Sequence, residues 1–293
     1  PKKDYGWMEY VNHNVCQSSS EIKNYYQRTG NLLCLLKVLN GCDFHLENIL
    51  ASKDFPIPID LETLLQPHSV EMDDTVQQKD NPLSNSVISL LMLPFGDLQA
   101  NKGYDLSGIT GEYSKSTKKM FQWKNVNTDA MIFAEDIMIN KNPSISTNIP
   151  YLKDIMQTPQ NYLNDISIGY EKAHNFFYEN KAFLLSDKSP LKMFENCKLR
   201  FIMRPTMTYA LALKNAMQSE YLHDGISFSI ILDKLARPLL FYQNKPTIWP
   251  IIKDEQKAFY DLDIPKFVYS SSSTDVELME GESFTLYKYT GME

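Results

Sequence analysis

Five polar residues frame the stretch GCDFHLENILASKDFPIPIDLETL at positions 41–64: Asp43, His45 and Asn48 at its start, Asp60 and Glu62 at its far end. NILAS and FPIPIDLET are short β-type runs separated by Lys53 and Asp54, which predicts a hairpin over 48–63. A hairpin brings its two ends together, so Asn48 and Asp60 are expected to converge although distant in sequence. Two oxygen ligands at that place suit a hard cation such as Mg²⁺. A carboxylate at Asp43 suits the acceptance of a proton from an attacking hydroxyl. The chemistry these types and spacings fit is phosphoryl transfer.

Kinase catalytic loops use the same arithmetic: an Asp, an Asn five positions later that binds metal, then a hairpin ending in a metal-binding Asp. Two details differ from protein kinases. His follows Asp at +2, giving D-x-H-x-x-N, an order closer to lipid-kinase-like enzymes, and DLE stands where D-F-G would be. Glu62 shares a face with Asp60 if the strand continues. A second carboxylate there could bind metal or position a proton carrier. The competing reading of D-x-H-x-x-N is a polar turn with a helix cap; Asp60 and Glu62 at hairpin distance favour the functional one.

Two of the four arginines lie in RFIMRPT, residues 200–206. In a strand Arg200, Ile202 and Arg204 share one face, and Pro205 disfavours a helix at Arg204. Two guanidiniums on one face suit a bidentate phosphate grip. The local sequence alone favours the plainer reading, two surface salt bridges with the abundant acids.

Several elements must position these residues. SSSEIKNYYQRTGNLLCLLKVLNG reads as a helix with Ser20 as N-cap, Glu21 in the first turn and Gly41 past the end. Ile22, Tyr25, Tyr26, Leu32, Leu33, Leu36 and Leu39 form its apolar stripe, and Gly30 is a mild interruption. Pro56 and Pro58 restrict the second hairpin run to an edge or an irregular strand. Residues 66–84 read as a long polar loop, and 85–150 as short strands among Gly- and Asn-rich turns. Residues 159–185, 206–219 and 226–236 read as helices, 198–204 as a strand, and the tail from 267 as β or loop. No repeat or low-complexity linker divides the chain, so one contiguous domain is expected.

Composition sets the outer bounds. With 293 residues, 43% of them apolar, the chain is long enough for one large domain or two small ones. A net charge of −7 argues against nucleic acid or anionic lipid as a general partner. Cys16, Cys34, Cys42 and Cys197 form no CxxC pair, so a structural zinc site is not expected; Cys34, in an apolar helical run, reads as a core residue. No signal peptide or run long enough for a transmembrane segment is visible, which fits a reduced, cytoplasmic protein. The chain opens on Pro1 rather than Met, as expected of a piece of a longer polypeptide.

YGWMEYV, YYQRTGNLLCLLKVLNGCDFHLENILA, PIPIDLETL, RFIMRPTMTYALAL and DLDIPKF occur in this order along the chain. In that order they resemble the dehydratase domain of class II lanthipeptide synthetases, over nearly the whole chain. The resemblance implies an α+β, lipid-kinase-like catalytic C-lobe over 1–293, mostly helical, with a catalytic-loop β-hairpin and a β-containing insertion at 66–150. The N-lobe, with its ATP-binding lysine, and the zinc cyclase domain would lie outside this chain. It also implies that ATP and Mg²⁺ are used to phosphorylate Ser and Thr of a ribosomally made precursor peptide, a leader plus a Ser/Thr/Cys-rich core. Elimination of the phosphate then leaves dehydroalanine or dehydrobutyrine.

Carried over residue by residue, Asp43 activates the substrate hydroxyl and His45 matches an active-site histidine of the same loop. Asn48 and Asp60 match the Mg²⁺ and nucleotide ligands, and Glu62 their acidic partner. Arg200 and Thr206 match the pair associated with elimination, which reverses the local reading of Arg200; Arg204 is grouped with the nucleotide-binding residues. The remaining domains of the parent synthetase are the expected partners. Two alternatives stay open: a lipid-kinase-like kinase without elimination, and a truncated non-catalytic peptide-binding module.

Overall fold

The computed structural model describes residues 6–66, 86–94, 106–110, 117–125, 128–139, 146–241, 248–273, 275–278 and 283–285. The chain divides into two compact units. The first holds residues 1–35, 43–60 and 87–176; the second holds 36–42, 61–86 and 177–293. Most of the polar loop expected at 66–84 and much of the insertion expected through 150 lie outside the described residues. Described helix and small antiparallel sheets together make an α+β chain.

In the first unit, helix α1 (Ser19–Val38) begins one residue earlier than its expected cap. Ser18, not Ser20, supplies the capping oxygen: its Oγ accepts the Glu21 N–H at 3.3 Å, while the Glu21 carboxylate accepts the Gln17 N–H at 2.7 Å. This is the reciprocal logic of a capping box. The stripe Ile22, Tyr25, Tyr26, Leu33 is buried as its spacing predicts, and Cys34 with it.

Gly30 is more than an interruption. A Cβ there would stand 2.0 Å from the carbonyl oxygen of Ile166, and one at Gly169 would stand 1.8 Å from that of Gln27. Both lie where α1 crosses α2 (Leu163–Glu179), and the missing side chains let the two backbones touch. Gly169→Ala is therefore expected to destabilise the protein. Helix propensity alone would favour Ala by about 1 kcal/mol, but the overlap with backbone forces the helices apart at a cost of about 1–3 kcal/mol or more. A denaturant midpoint at or above that of the wild type would refute this.

The hairpin forms between β1 (Ile49–Ser52) and β2 (Phe55–Pro58), with Ile49 opposite Pro58 and Ser52 opposite Phe55. Lys53 turns the corner at φ 51°. Pro56 and Pro58 are tolerated because β2 pairs with β1 alone. Arg28 of α1 holds the tip: its Nη1 donates to the Asp54 carbonyl at 2.8 Å and pairs with the Asp54 carboxylate, and its guanidinium lies 3.7 Å over the Phe55 ring. Strands β3 (Thr117–Lys124) and β4 (Ile132–Ile139) make an eight-residue antiparallel ladder in the expected insertion. A two-residue pair, β5 (Tyr151–Leu152) and β6 (Ile155–Met156), completes the first unit's described sheets.

In the second unit, α1 ends in a Schellman motif. Asn40 takes the left-handed φ of 44°, its N–H bonding Lys37 O at 3.1 Å and that of Gly41 bonding Leu36 O at 2.9 Å. The expected helix over 159–185 runs as a 3₁₀ turn, α2 and a short α3 (Lys181–Leu184), and it passes from the first unit to the second after residue 176. A four-stranded antiparallel sheet has the order β10 (Ser283–Thr285), β9 (Asp275–Glu277), β8 (Phe267–Ser270), β7 (Lys198–Phe201). Helices α4 (Thr206–Ala216), α5 (Ser219–Leu222), α6 (Gly225–Leu232) and α7 (Ile251–Tyr260) accompany it. One core joins sheet residues Phe201, Phe267 and Tyr269 to Ile251 and Ile252 of α7, and a second joins Tyr209 of α4 to Phe228 of α6 and Phe259 of α7.

Strand β7 is shorter than expected. The pairing of Phe201 with Phe267 would set Ile202 opposite Lys266 and then Met203 opposite Pro265, which has no N–H to give. The ladder stops at Phe201, and Arg204 lies beyond the strand rather than on the same face as Arg200.

Candidate active site

In the first unit the loop ahead of β1 gathers Asp43, His45 and Asn48. Asp43 adopts φ 65°, a left-handed conformation that Asp tolerates better than most residues. The Asn48 side-chain amide fixes it by donating to the Asp43 carbonyl at 2.9 Å. The rest of the loop is pinned by its neighbours: Phe44, fully buried, donates its N–H to Leu90 O at 2.9 Å, and Leu46 donates to Leu106 O at 3.0 Å. Gly108 passes so close that a Cβ there would stand 2.3 Å from the Phe44 carbonyl. These contacts hold the left-handed backbone of Asp43 in place.

His45 is oriented by its own loop. Its Nδ1 accepts the Glu47 N–H at 3.2 Å, which in the neutral ring leaves the proton on Nε2. That Nε2 lies 3.9 Å from Asp43 Oδ1 and 3.4 Å from Asn48 Nδ2. The expected hairpin forms: Ile59 N–H bonds Asn48 O at 3.0 Å, so Asp60 follows directly on the residue paired with Asn48. The Asp60 side chain is exposed. With its Nδ2 spent on Asp43, Asn48 keeps its amide oxygen for other use. One amide oxygen and one carboxylate fit Mg²⁺, which commonly takes one or two protein ligands and completes its shell with phosphate oxygens and water. Among the described residues no three His, Cys, Asp or Glu side chains gather as a metal site.

In the second unit, residues 62–65 form turns instead of extending β2, so Glu62 does not share a strand face with Asp60. Its carboxylate pairs with Arg200 Nη1. Arg204 is held elsewhere. Its Nε and Nη2 grip the Glu255 carboxylate at 2.7 and 3.0 Å, and Nη2 also reaches Leu235 O at 2.9 Å. Tyr209 donates its hydroxyl to the same carboxylate at 2.7 Å. Glu255 is completely buried. Burial works to lower the Arg204 pKa, but the Glu255 hydrogen bonds and charge outweigh it and the guanidinium holds its proton more tightly than usual. Burial, then the Glu255 charge, push the Tyr209 hydroxyl well above its ordinary range. Thr206 is exposed at the first position of α4, where free backbone N–H groups and the helix dipole favour an anion. Thus the two arginines do not form one phosphate grip: each pairs with its own glutamate, as the plainer local reading expected, although the Arg204–Glu255 pair is buried rather than on the surface.

A family model described only as a domain of unknown function, DUF4135, matches residues 1–270. The chain belongs to that family. It is also 29% identical, over 299 aligned positions and 98% of its length, to the lacticin 481/lactococcin biosynthesis protein LcnDR2 of Lactococcus lactis subsp. lactis. The chain spans 30% of that relative's length. Both matches agree with the likeness to class II lanthipeptide synthetases drawn from the sequence motifs.

Two residues of this DUF4135 domain escaped the sequence reading. Glu255 left a signal: α7 carries Ile251, Ile252, Ala258 and Phe259 on its buried side, and a carboxylate among them demands a buried cation. Gln66, whose side chain bonds the backbone on either side of Phe201 in β7, left none. Among the described residues no helix is long and apolar enough to cross a membrane.

Proposed function

We propose that this chain supplies the dehydration chemistry of lanthipeptide biosynthesis: phosphorylation of Ser and Thr in a precursor peptide, then elimination of the phosphate. The observation that carries the reading is the gathering of Asp43, His45 and Asn48 at the root of a hairpin that pairs Asn48 with Ile59, the residue before Asp60. The relative's part in lacticin 481/lactococcin biosynthesis supports it. A lipid-kinase-like catalytic lobe is the fold this reading implies, with a leader-bearing precursor peptide as substrate and ATP as phosphoryl donor.

In the first step Asp43 accepts the proton of the substrate hydroxyl, whose oxygen attacks the γ-phosphorus as ADP departs. His45 steadies the Asp43 carboxylate through its Nε2 proton. Asn48 and Asp60 would hold Mg²⁺, which when bound neutralises charge on the nucleotide phosphates. In the second step a base from the solvent takes the Cα proton, the electron pair of that C–H bond becomes the Cα–Cβ double bond, and the Cβ–O bond breaks. The phosphate leaves with that bond's electrons. Arg200 stabilises the charge gathering on it, and Thr206, at a helix N-terminus, adds a hydroxyl and backbone N–H groups.

Intact mass of the precursor peptide after incubation with ATP, Mg²⁺ and the full-length protein tests this. Wild type is expected to give loss of water. Arg200→Ala is expected to slow elimination by about 10²–10³-fold, the usual cost of losing one donor to a developing anion, so that phosphorylated peptide accumulates. Phosphate retained by both proteins would mean a kinase without elimination, and no mass change with either would overturn the reading.

A further inference from the structure

Arg200 and Arg204 stand four positions apart yet differ in what their guanidiniums have left to offer. Arg204 spends Nε and Nη2 on Glu255. Arg200 is tethered to Glu62 through Nη1, and among the described residues its Nε and Nη2 carry no hydrogen bond. A guanidinium held by one nitrogen keeps an edge with two parallel N–H donors, the geometry that receives two oxygens of a phosphate.

The backbone that carries Arg200 is also fixed from one place. The Gln66 amide donates through Nε2 to the Arg200 carbonyl at 2.7 Å and accepts the Ile202 N–H through Oε1 at 3.2 Å. Gln66 thereby acts as the strand partner that β7 lacks on that edge, across the peptide units on either side of Phe201. Its own backbone is anchored in turn. Gln66 N–H bonds the Asn40 carbonyl at 3.1 Å, and the Asn40 side chain donates to the Gln66 carbonyl. Asn40 is the left-handed residue that closes α1. The same short segment, 62–66, thus carries both the tether on the Arg200 side chain and the clamp on its backbone.

We propose that Gln66 is a positioning residue for Arg200: it aims the open edge of the guanidinium at the phosphate that is to leave. The inference rests on the reading of Arg200 as a phosphate ligand. Glu62 serves the same end through the side chain, but removing its charge would itself favour an anion nearby, so Gln66 gives the cleaner test. Gln66→Met keeps the length and neutrality of the side chain and removes both backbone hydrogen bonds.

The chain has four arginines, so carbon-detected Cζ–Nε NMR of their guanidiniums gives four resolvable signals, assigned with single Arg→Lys variants. Titration with inorganic phosphate is expected to move the Arg200 signal and leave that of Arg204, occupied by Glu255, in place. In Gln66→Met the apparent phosphate affinity at Arg200 is expected to fall roughly three- to tenfold, the worth of one hydrogen bond at tenfold per 1.4 kcal/mol. The Arg204 signal, which belongs to the same unit, reports that the fold is intact. Should Gln66→Met disturb it, Gln66→Asn, which keeps the amide but shortens its reach, is expected to weaken phosphate binding with the Arg204 signal unmoved. Equal affinity in wild type and in the folded variant would overturn the positioning role and leave the reading of Arg200 standing. An Arg200 signal that phosphate fails to move in the wild type would overturn both.

Discussion

Asp43→Asn in the full-length protein is expected to slow phosphorylation of the precursor peptide about 10²–10⁴-fold, the range for removal of a positioned general base. The substitution isolates chemistry from fold. Asp43 sits at φ 65°, and Asn is the other residue besides Gly that enters this region readily, so the backbone keeps its course. The bond from Asn48 to residue 43 goes to the carbonyl, not the side chain, and survives. So do the backbone bonds of Phe44 and Leu46 that pin the loop. What changes is the carboxylate facing the His45 Nε2 and, in the proposed reading, the hydroxyl that must lose its proton. An amide cannot accept that proton. The measurement is the initial rate of phosphate incorporation from labelled ATP, with the thermal midpoint recorded for both proteins. Unchanged stability with the rate lost assigns Asp43 to the first step; an unchanged rate would remove it from the mechanism. A peptide phosphorylated in advance should still lose its phosphate with this variant, since Arg200 and Thr206 are untouched.

What could be read from the sequence is what depends on near neighbours. The β1–β2 hairpin was legible because two β-type runs flank a two-residue turn, and α1 because its stripe has a helical period. Asp43, His45 and Asn48 come together because they belong to one turn, and the hairpin returns the chain to Asn48 at Ile59, one residue before Asp60. The failures that matter for the site are long-range. Glu62 was expected to follow Asp60 along a strand, but its partner is Arg200, 138 positions away. Arg204 was grouped with Arg200 by strand alternation, yet the strand stops at Phe201 because the facing chain carries Pro265. Gly30 read as a weakness in a helix, and its reason is a second helix well over a hundred residues on. No local pattern encodes such contacts, since each needs the fold before it can be stated.

Arg204→Met is expected to destabilise the protein by about 3–5 kcal/mol, the usual cost of breaking a buried ion pair from one side. Glu255 is wholly buried, and without the guanidinium its carboxylate keeps only the Tyr209 hydroxyl. A buried carboxylate is then left without its cation, which is unfavourable, and Leu235 loses a donor to its carbonyl as well. Replacing both partners is a different matter. Arg204→Met with Glu255→Leu leaves no uncompensated charge between α4 and α7, and apolar groups of similar volume often replace a buried pair at little net cost. The double variant is therefore expected to recover most of the loss, a strong non-additivity in a double-mutant cycle read by urea unfolding. The cycle also decides what Arg204 is for. A residue that grips nucleotide would lose activity on substitution while leaving stability near that of the wild type. Arg204 bound to Glu255 should show the reverse order: stability lost first, and phosphorylation recovered in the double variant wherever its fold is. A single variant as stable as wild type would mean that the Glu255 contact contributes nothing, and the phosphate-facing role first read from RFIMRPT would be restored.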